Sequence, residues 1–267
     1  MFRELTSYEV RDIQLNLMTD IDDFCRKNDL RYSLTGGSLI GSVRHGGYIP
    51  WDDDIDIMMP RPDYERFVAE YHSPKNAINN LIKSELCVET FAKIERIGTI
   101  MTDNELGRSI WGINVDVFPI DGMPGDNTRA YFDELSKMNS RLGMYCPFYK
   151  SVTTHKVLWA MKYWAKRLLY FNPHSYLYLK EALNRQLLST QFETSPYAAL
   201  FCGGDGWCEV IPRSVFETFE DVPFEGHVFR RIKEYDQYLH SVFGDYMQLP
   251  PENERISKHN YSCYQIN

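Results

Sequence analysis

The chain has 267 residues, 43% apolar and 25% charged, enough for one large core or a core with an appendage, and disorder is not the default. A net charge of −8 argues against a general nucleic-acid binder, which needs a basic face. The six cysteines (Cys25, Cys87, Cys146, Cys202, Cys208 and Cys263) form no CxxC pair, so reduced thiols in a cytoplasmic protein are expected rather than a zinc site.

The opening "MFRELTSYEVRDIQLNLMTD" is too charged for a signal peptide, and no apolar run reaches the roughly eighteen residues that would span a bilayer. Val10, Ile13, Leu17, Ile21 and Phe24 recur at helical spacing, predicting a helix over Ser7–Asn28 with Ser7 as its cap. "RYSLTGG" reads as a short strand, "SLIGSVRH" as a helix directly after its glycines, and "HGGYIPW" as a loop. Asp54–Met59 is the next strand, and a helix entered through Pro62 covers Asp63–Tyr71. "VETFAKIERI" and "GTIMT" form a strand pair around Gly98, and "WGINVDVFPIDGMPG" supplies a strand stopped by Pro119. From Asn127 to about Glu193 the chain is helical and rich in Tyr, Trp, Lys and Leu. Short strands return between Tyr197 and Arg231, with turns at "GGDG" and "FEGH". The helix "IKEYDQYLHSVFG" precedes a loop and tail ending at Asn267. The expected fold class is α/β, an α+β mixed sheet. Its parts are a core over 1–125, a helical insertion over 126–195 and a C-terminal return to the core over 196–267.

The stretch "WDDDIDIMM" holds four aspartates in five positions. In a strand, residues two apart share a face, so Asp54 and Asp56 project together while Ile55 and Ile57 go to the core. Two converging carboxylates need a proton or a cation, and an oxygen-bound divalent ion is the simplest solution. Asp116, flanked by Val115 and Val117, repeats the pattern on a second core strand, as metal-dependent phosphoryl-transfer sites require. Asp52 and Asp53 read as solvated residues at the strand's mouth. Upstream, "TGGSLIGS" places Gly37 and Ser38 where a strand hands over to a helix, whose free N–H groups suit a phosphate. Lys93, Arg96, Arg44, His45 and Arg61 are the candidate cations, with Lys93 favoured for its position in mid-strand.

"GGSLIGSVRHGGYIPWDDDIDIMMPRPDYERF", with "INVDVFPIDG" and "YLHSVFGDYMQLPP" further on, resembles the LicD family of phosphocholine transferases, which includes fukutin-type ribitol-phosphate transferases. The resemblance implies a nucleotidyltransferase-like core in which Gly37, Ser38, Arg44, Lys93 and Arg96 meet the nucleotide. Asp54, Asp56 and Asp116 would bind Mg²⁺ or Mn²⁺. It further implies CDP-choline as donor and a sugar hydroxyl of a glycan or lipid-linked glycan, such as teichoic acid or lipopolysaccharide, as acceptor. CMP would be released, with Asp116 or Asp53 taking the acceptor proton. Ribitol, glycerol or ethanolamine in place of choline, nucleotidylyl transfer, and a non-catalytic binding module are the rival readings.

Tyr48, Trp51, Trp111 and Trp207 are candidates for an aromatic cage around a quaternary ammonium. "HKVLWAMKYWAKRLLYF" is a basic amphipathic stretch suited to peripheral contact with the inner face of a membrane, or to packing with its lysines reaching solvent.

Overall fold

The structure is a computed structural model that describes residues 2–80, 90–104, 108–145, 165, 173–257 and 259–266. Its first strand, β1 (Phe2–Glu4), leads into α1 (Ser7–Lys27). The cap of α1 is Thr6 rather than Ser7. Thr6 Oγ1 accepts from the Glu9 N–H, and the Glu9 carboxylate accepts from the Thr6 N–H, a reciprocal capping box. Leu17, Met18 and Ile21 on its inner face are fully buried.

β2 (Ser33–Leu34), α2 (Gly36–Arg44), β3 (Asp56–Pro60) and α3 (Arg61–Glu70) follow. Next come β4 (Asn76–Asn79), β5 (Ala92–Arg96), β6 (Thr99–Asp103), β7 (Arg108–Trp111) and β8 (Asn114–Met123). Asp54 lies in the extended lead-in to β3, two residues before the ladder begins.

β8 is the axis of the main sheet. β3 pairs with it in parallel along one edge, and β2 pairs antiparallel with β3. Along its other edge β5 pairs with the first half of β8, while β9 (Tyr197–Ala199) pairs with the second half. Pro119 does not stop β8. The Asp116 N–H bonds the Ile55 carbonyl on the β3 side, so alternation turns the Pro119 nitrogen to the opposite edge. There it falls between Val117, the last β8 residue paired with β5, and Asp121, the first paired with β9, where no ladder bond is lost.

α4 (Thr128–Tyr145) and α5 (Pro173–Ser189) pack together over a second apolar cluster that includes Phe132, Leu135, Leu183 and Leu187. The basic stretch with Lys156, Trp159, Lys162, Tyr163, Trp164, Lys166 and Arg167 lies outside the described residues. Beyond β10 (Ile211–Pro212), β11 (Phe219–Phe224) and β12 (His227–Ile232) form a hairpin. Its two-residue loop, Glu225 and Gly226, has φ of 50° and 77°, the left-handed pair that a tight hairpin prefers. Ile232 is the last residue of that hairpin, so the final helix α6 spans only Tyr235–Phe243.

The expected tail is instead a strand, β13 (Tyr261–Ile266). It inserts between β1 and β6 to make a second sheet in the order β1-β13-β6-β7. Backbone ladder bonds to strands on both sides stabilise a segment whose own sequence carries little apolar pattern. No helix among the described residues is long and apolar enough to cross a membrane.

Candidate active site

Three neighbouring strands place three charged residues in one row. Asp56 on β3 is the register partner of Asp116 on β8, which is in turn the partner of Lys93 on β5. Lys93 Nζ reaches both carboxylate oxygens of Asp116, at 2.7 and 2.5 Å, and Asn114 donates to Oδ1 as well. The inner face of the row is apolar: Ile55, Ile57, Val115 and Val117 are fully buried. Alternation along β5 sends Arg96 to the face opposite Lys93.

α2 points its N-terminus at this row. Gly36 begins the helix at φ 52°, a conformation that suits glycine, and the Thr35 N–H bonds the Asp56 carbonyl. The two glycines thus lie within the first turn of α2 rather than before it. A Cβ built on Gly37 would sit 2.2 Å from Asp52 Oδ2, so only a glycine lets that carboxylate lie against the helix. Ser38 is buried, and its Oγ accepts from the Asp56 N–H at 2.9 Å, which locks α2 to β3.

The acidic loop is held from below by α1. Arg11 Nη2 donates to the Asp52 carbonyl at 2.9 Å, and Gln14 Nε2 donates to the Asp53 carbonyl at 2.8 Å. Tyr48 donates to Gln14 Oε1 and lies under the Arg11 guanidinium. It is held from above by the C-terminal segment. Ser257 Oγ donates to Asp53 Oδ2 at 2.8 Å, and His259 Nδ1 lies 2.8 Å from Asp53 Oδ1 and 3.8 Å from Asp54 Oδ2. Gln14 carried a sequence signal, because it occupies a position on the apolar stripe of α1 yet is polar. Ser257 and His259 carried none, being some two hundred positions away.

The electrostatics separate the four aspartates. Desolvation pushes Asp53 upward, but His259 and Ser257 hold it below the ordinary carboxylate value. Asp52 is raised by burial and then by Asp53. Asp54 keeps 37% of its side-chain surface open at the mouth, with protein on its other sides. Its pKa rises to about 7, through desolvation first and the Asp52 charge second. Asp56 is raised well above the usual range by burial, then by Asp54 and Asp116.

Neither Asp54, with His259 Nδ1 at 3.8 Å, nor Asp56 has a cation bridging both its oxygens as Lys93 bridges those of Asp116, and carboxylate oxygens crowded in this way fit a divalent cation. Among the described residues, the one group whose ligand atoms come within 4.8 Å of one another is Asp53, Asp54 and His259. The trio Asp54, Asp56 and Asp116 is not converged to that degree, and both Asp116 oxygens are turned to Lys93.

The other candidates are distributed more widely. Arg44 Nη1 donates to the Tyr246 carbonyl at 2.7 Å and so ties α2 to the loop after α6. Arg61 is buried against Asp121. Tyr48 is a core residue, and Trp207 packs on Phe132 beneath the Arg129 guanidinium. Trp51 stays beside the acidic loop, edge-on to His45 and under Arg255. Trp111 ends β7, opposite Met101.

Residues 29–133 match the model of the LicD/FKTN/FKRP nucleotidyltransferase domain, an interval that contains α2, the acidic loop, β3, β5 and β8. The lipopolysaccharide cholinephosphotransferase LicD of Haemophilus influenzae is 28% identical over 270 aligned residues, covering 98% of this chain and 99% of that protein. The human ribitol 5-phosphate transferase FKRP is 61% identical over 28 residues, 10% of this chain and 6% of its own length. An uncharacterized protein of Rickettsia typhi, RT0683, is 43% identical over 51 residues, 19% of this chain and 16% of its own length.

Proposed function

For a chain whose residues 29–133 match the LicD/FKTN/FKRP nucleotidyltransferase domain, we propose transfer of an alcohol phosphate from a CDP-linked donor to a glycan hydroxyl, with choline as the alcohol. The reading rests chiefly on the row Asp56–Asp116–Lys93 facing the glycine-rich start of α2. The end-to-end likeness to a lipopolysaccharide cholinephosphotransferase supports it.

In this reading the donor's phosphates lie at the N-terminus of α2, where Gly36 and Gly37 expose backbone N–H groups and present no Cβ. Asp54, Asp56 and Asp116 are the residues that would hold Mg²⁺ or Mn²⁺. When bound, the ion would neutralise charge on the donor pyrophosphate. Lys93 meets the same charge from the far side of Asp116 and keeps that carboxylate oriented. Ser38 fixes the spacing between the helix terminus and Asp56.

The acceptor hydroxyl oxygen forms a new bond to the phosphorus that bears the alcohol, and the bond from that phosphorus to the pyrophosphate bridging oxygen breaks. CMP leaves with the bridging oxygen, and the hydroxyl proton passes to Asp116 or Asp53 at the mouth. A sugar on lipopolysaccharide, teichoic acid or another lipid-linked glycan is the proposed acceptor, reached from the cytoplasmic face of the membrane.

The test incubates the chain with CDP-choline, CDP-ribitol, CDP-glycerol and CDP-ethanolamine, with Mg²⁺ and a glycan acceptor. Acceptor-dependent CMP release, fastest with CDP-choline and abolished in Asp54→Asn, is the expected result. CMP covalently attached to the acceptor, or full activity in Asp54→Asn, would overturn the reading.

A further inference from the structure

The acidic loop has a third wall that no feature of the first 125 residues supplies. Ser257 and His259 approach it from the C-terminal side, and both oxygens of Asp53 are bound there, one by Ser257 Oγ and the other by His259 Nδ1. An ionised carboxylate only accepts, so the His259 Nδ1 carries the hydrogen. The ring is itself fixed. It stacks on Tyr261 at 5.3 Å with 14° between planes, and Ser257 Oγ accepts from the His259 N–H. Tyr261 opens β13, which ladder bonds to β1 and β6 secure on both sides. A continuous set of contacts therefore runs from a three-strand ladder through Tyr261, His259 and Asp53 to the residue preceding Asp54.

From this geometry we infer that His259 is a positioning residue of the active site, acting through Asp53 to hold the acidic loop with Asp54 facing the metal position. The inference rests on the phosphotransfer reading for its catalytic consequence, but not for the latch itself. Opposing holds explain why both are needed. Arg11 and Gln14 grip only the loop's carbonyls and hold neither the Asp53 nor the Asp54 side chain. Mutual repulsion among Asp52, Asp53 and Asp54 drives them apart unless a donor on the solvent side opposes it. Ser257 and His259 are those donors. The C-terminal strand thus belongs to the site although it lies outside the interval that matches the family domain.

The test uses the full chain with His259→Ala, His259→Asn and Ser257→Ala. Asparagine can keep an N–H near the place of Nδ1, so it separates the hydrogen bond from the ring. Three quantities are measured: amide deuterium exchange over 49–57, Mn²⁺ affinity by calorimetry, and kcat and KM for CMP release.

For His259→Ala we expect faster exchange confined to that loop and about a tenfold loss of Mn²⁺ affinity, the scale of one charge-assisted hydrogen bond. A fall in kcat larger than the rise in donor KM is expected with it. His259→Asn should recover most of each effect, and Ser257→Ala should show a weaker form of it. Unchanged exchange, affinity and kcat in His259→Ala, or equal damage in His259→Asn and His259→Ala, would overturn the inference. If the wild-type chain neither binds Mn²⁺ nor releases CMP, the phosphotransfer reading fails, and the exchange comparison alone decides the latch.

Discussion

Lys93 Nζ bridges both oxygens of Asp116, and the pair sits one strand away from Asp56, which has no such partner in its row. Within a single ladder, one carboxylate is paired directly with a fixed cation and its neighbour is not. Lys93 and a divalent ion therefore compete for Asp116. Lys93→Met should bind Mn²⁺ more tightly than the wild type, yet turn over about a hundredfold more slowly, because the donor phosphates lose a fixed positive charge. Calorimetry and CMP release on the same preparation check both halves. Weaker Mn²⁺ binding in the variant would show that Lys93 supports the ion site rather than opposing it.

Two glycines in α2 should respond differently to alanine. At Gly37 the added Cβ meets the end of a flexible side chain, Asp52, at 2.2 Å. Gly37→Ala should therefore keep its melting temperature within a few degrees while losing most activity, as Asp52 is driven off the helix N-terminus. At Gly41 the Cβ meets the Gly47 backbone carbonyl at 2.3 Å, which cannot yield without moving the loop. Gly41→Ala should cost about 1–3 kcal/mol of stability. Thermal denaturation beside activity separates the two.

The ion pair of Arg61 and Asp121 joins the start of α3 to β8, and the Arg61 and Asp121 side chains are 7% and 1% exposed. Among the described residues Asp121 Oδ2 has no hydrogen-bond partner, and burial lifts the pKa of Asp121 to about 6 although Arg61 opposes this. Arg61→Met should destabilise the chain by about 3–5 kcal/mol, because it strands a buried carboxylate. Adding Asp121→Leu should restore much of that loss. Urea denaturation of the two single variants and the double variant gives the coupling directly.

Glu209 is buried, accepts weakly from the Tyr238 hydroxyl at 3.4 Å, and has its pKa raised to about 8, by desolvation first and the Asp205 charge second. The folded chain therefore binds this proton more tightly than the unfolded chain. Its contribution to stability is complete below the ordinary glutamate value near 4.5 and is lost as pH rises through about 8. The melting temperature of Glu209→Gln relative to wild type should climb steadily between pH 5 and 8. A difference that stays flat across that window would place the Glu209 proton elsewhere.

Much of the site was legible in order along the chain. The alternation Asp54-Ile55-Asp56-Ile57 and the flanked acid in Val115-Asp116-Val117 each encode a strand with one buried face. The GGS turn marks a helix start, and Lys93 shares its strand's parity with Glu95. These are local signals, because side-chain direction follows directly from the backbone repeat. Pairing is not local. That Asp56 faces Asp116 rather than Phe118 is a matter of register. That Pro119 leaves β8 intact depends on where along β8 the pairing with β5 stops and that with β9 starts.

The sequence by itself determined which residues are acidic, which face of each strand is apolar, and that a helix starts close to the glycines, though not that they lie inside its first turn. Tertiary structure alone decided which cation meets which acid. Lys93 went to Asp116, while Arg44 and Arg61 went to a carbonyl and to a buried aspartate far from the acidic loop in sequence. It also brought His259 to Asp53 across 206 positions, because β13 fills the gap between two strands that would otherwise leave ladder groups unpaired. Backbone periodicity is written within a few residues; charge pairing and strand insertion are settled only when distant segments compete for the same partners.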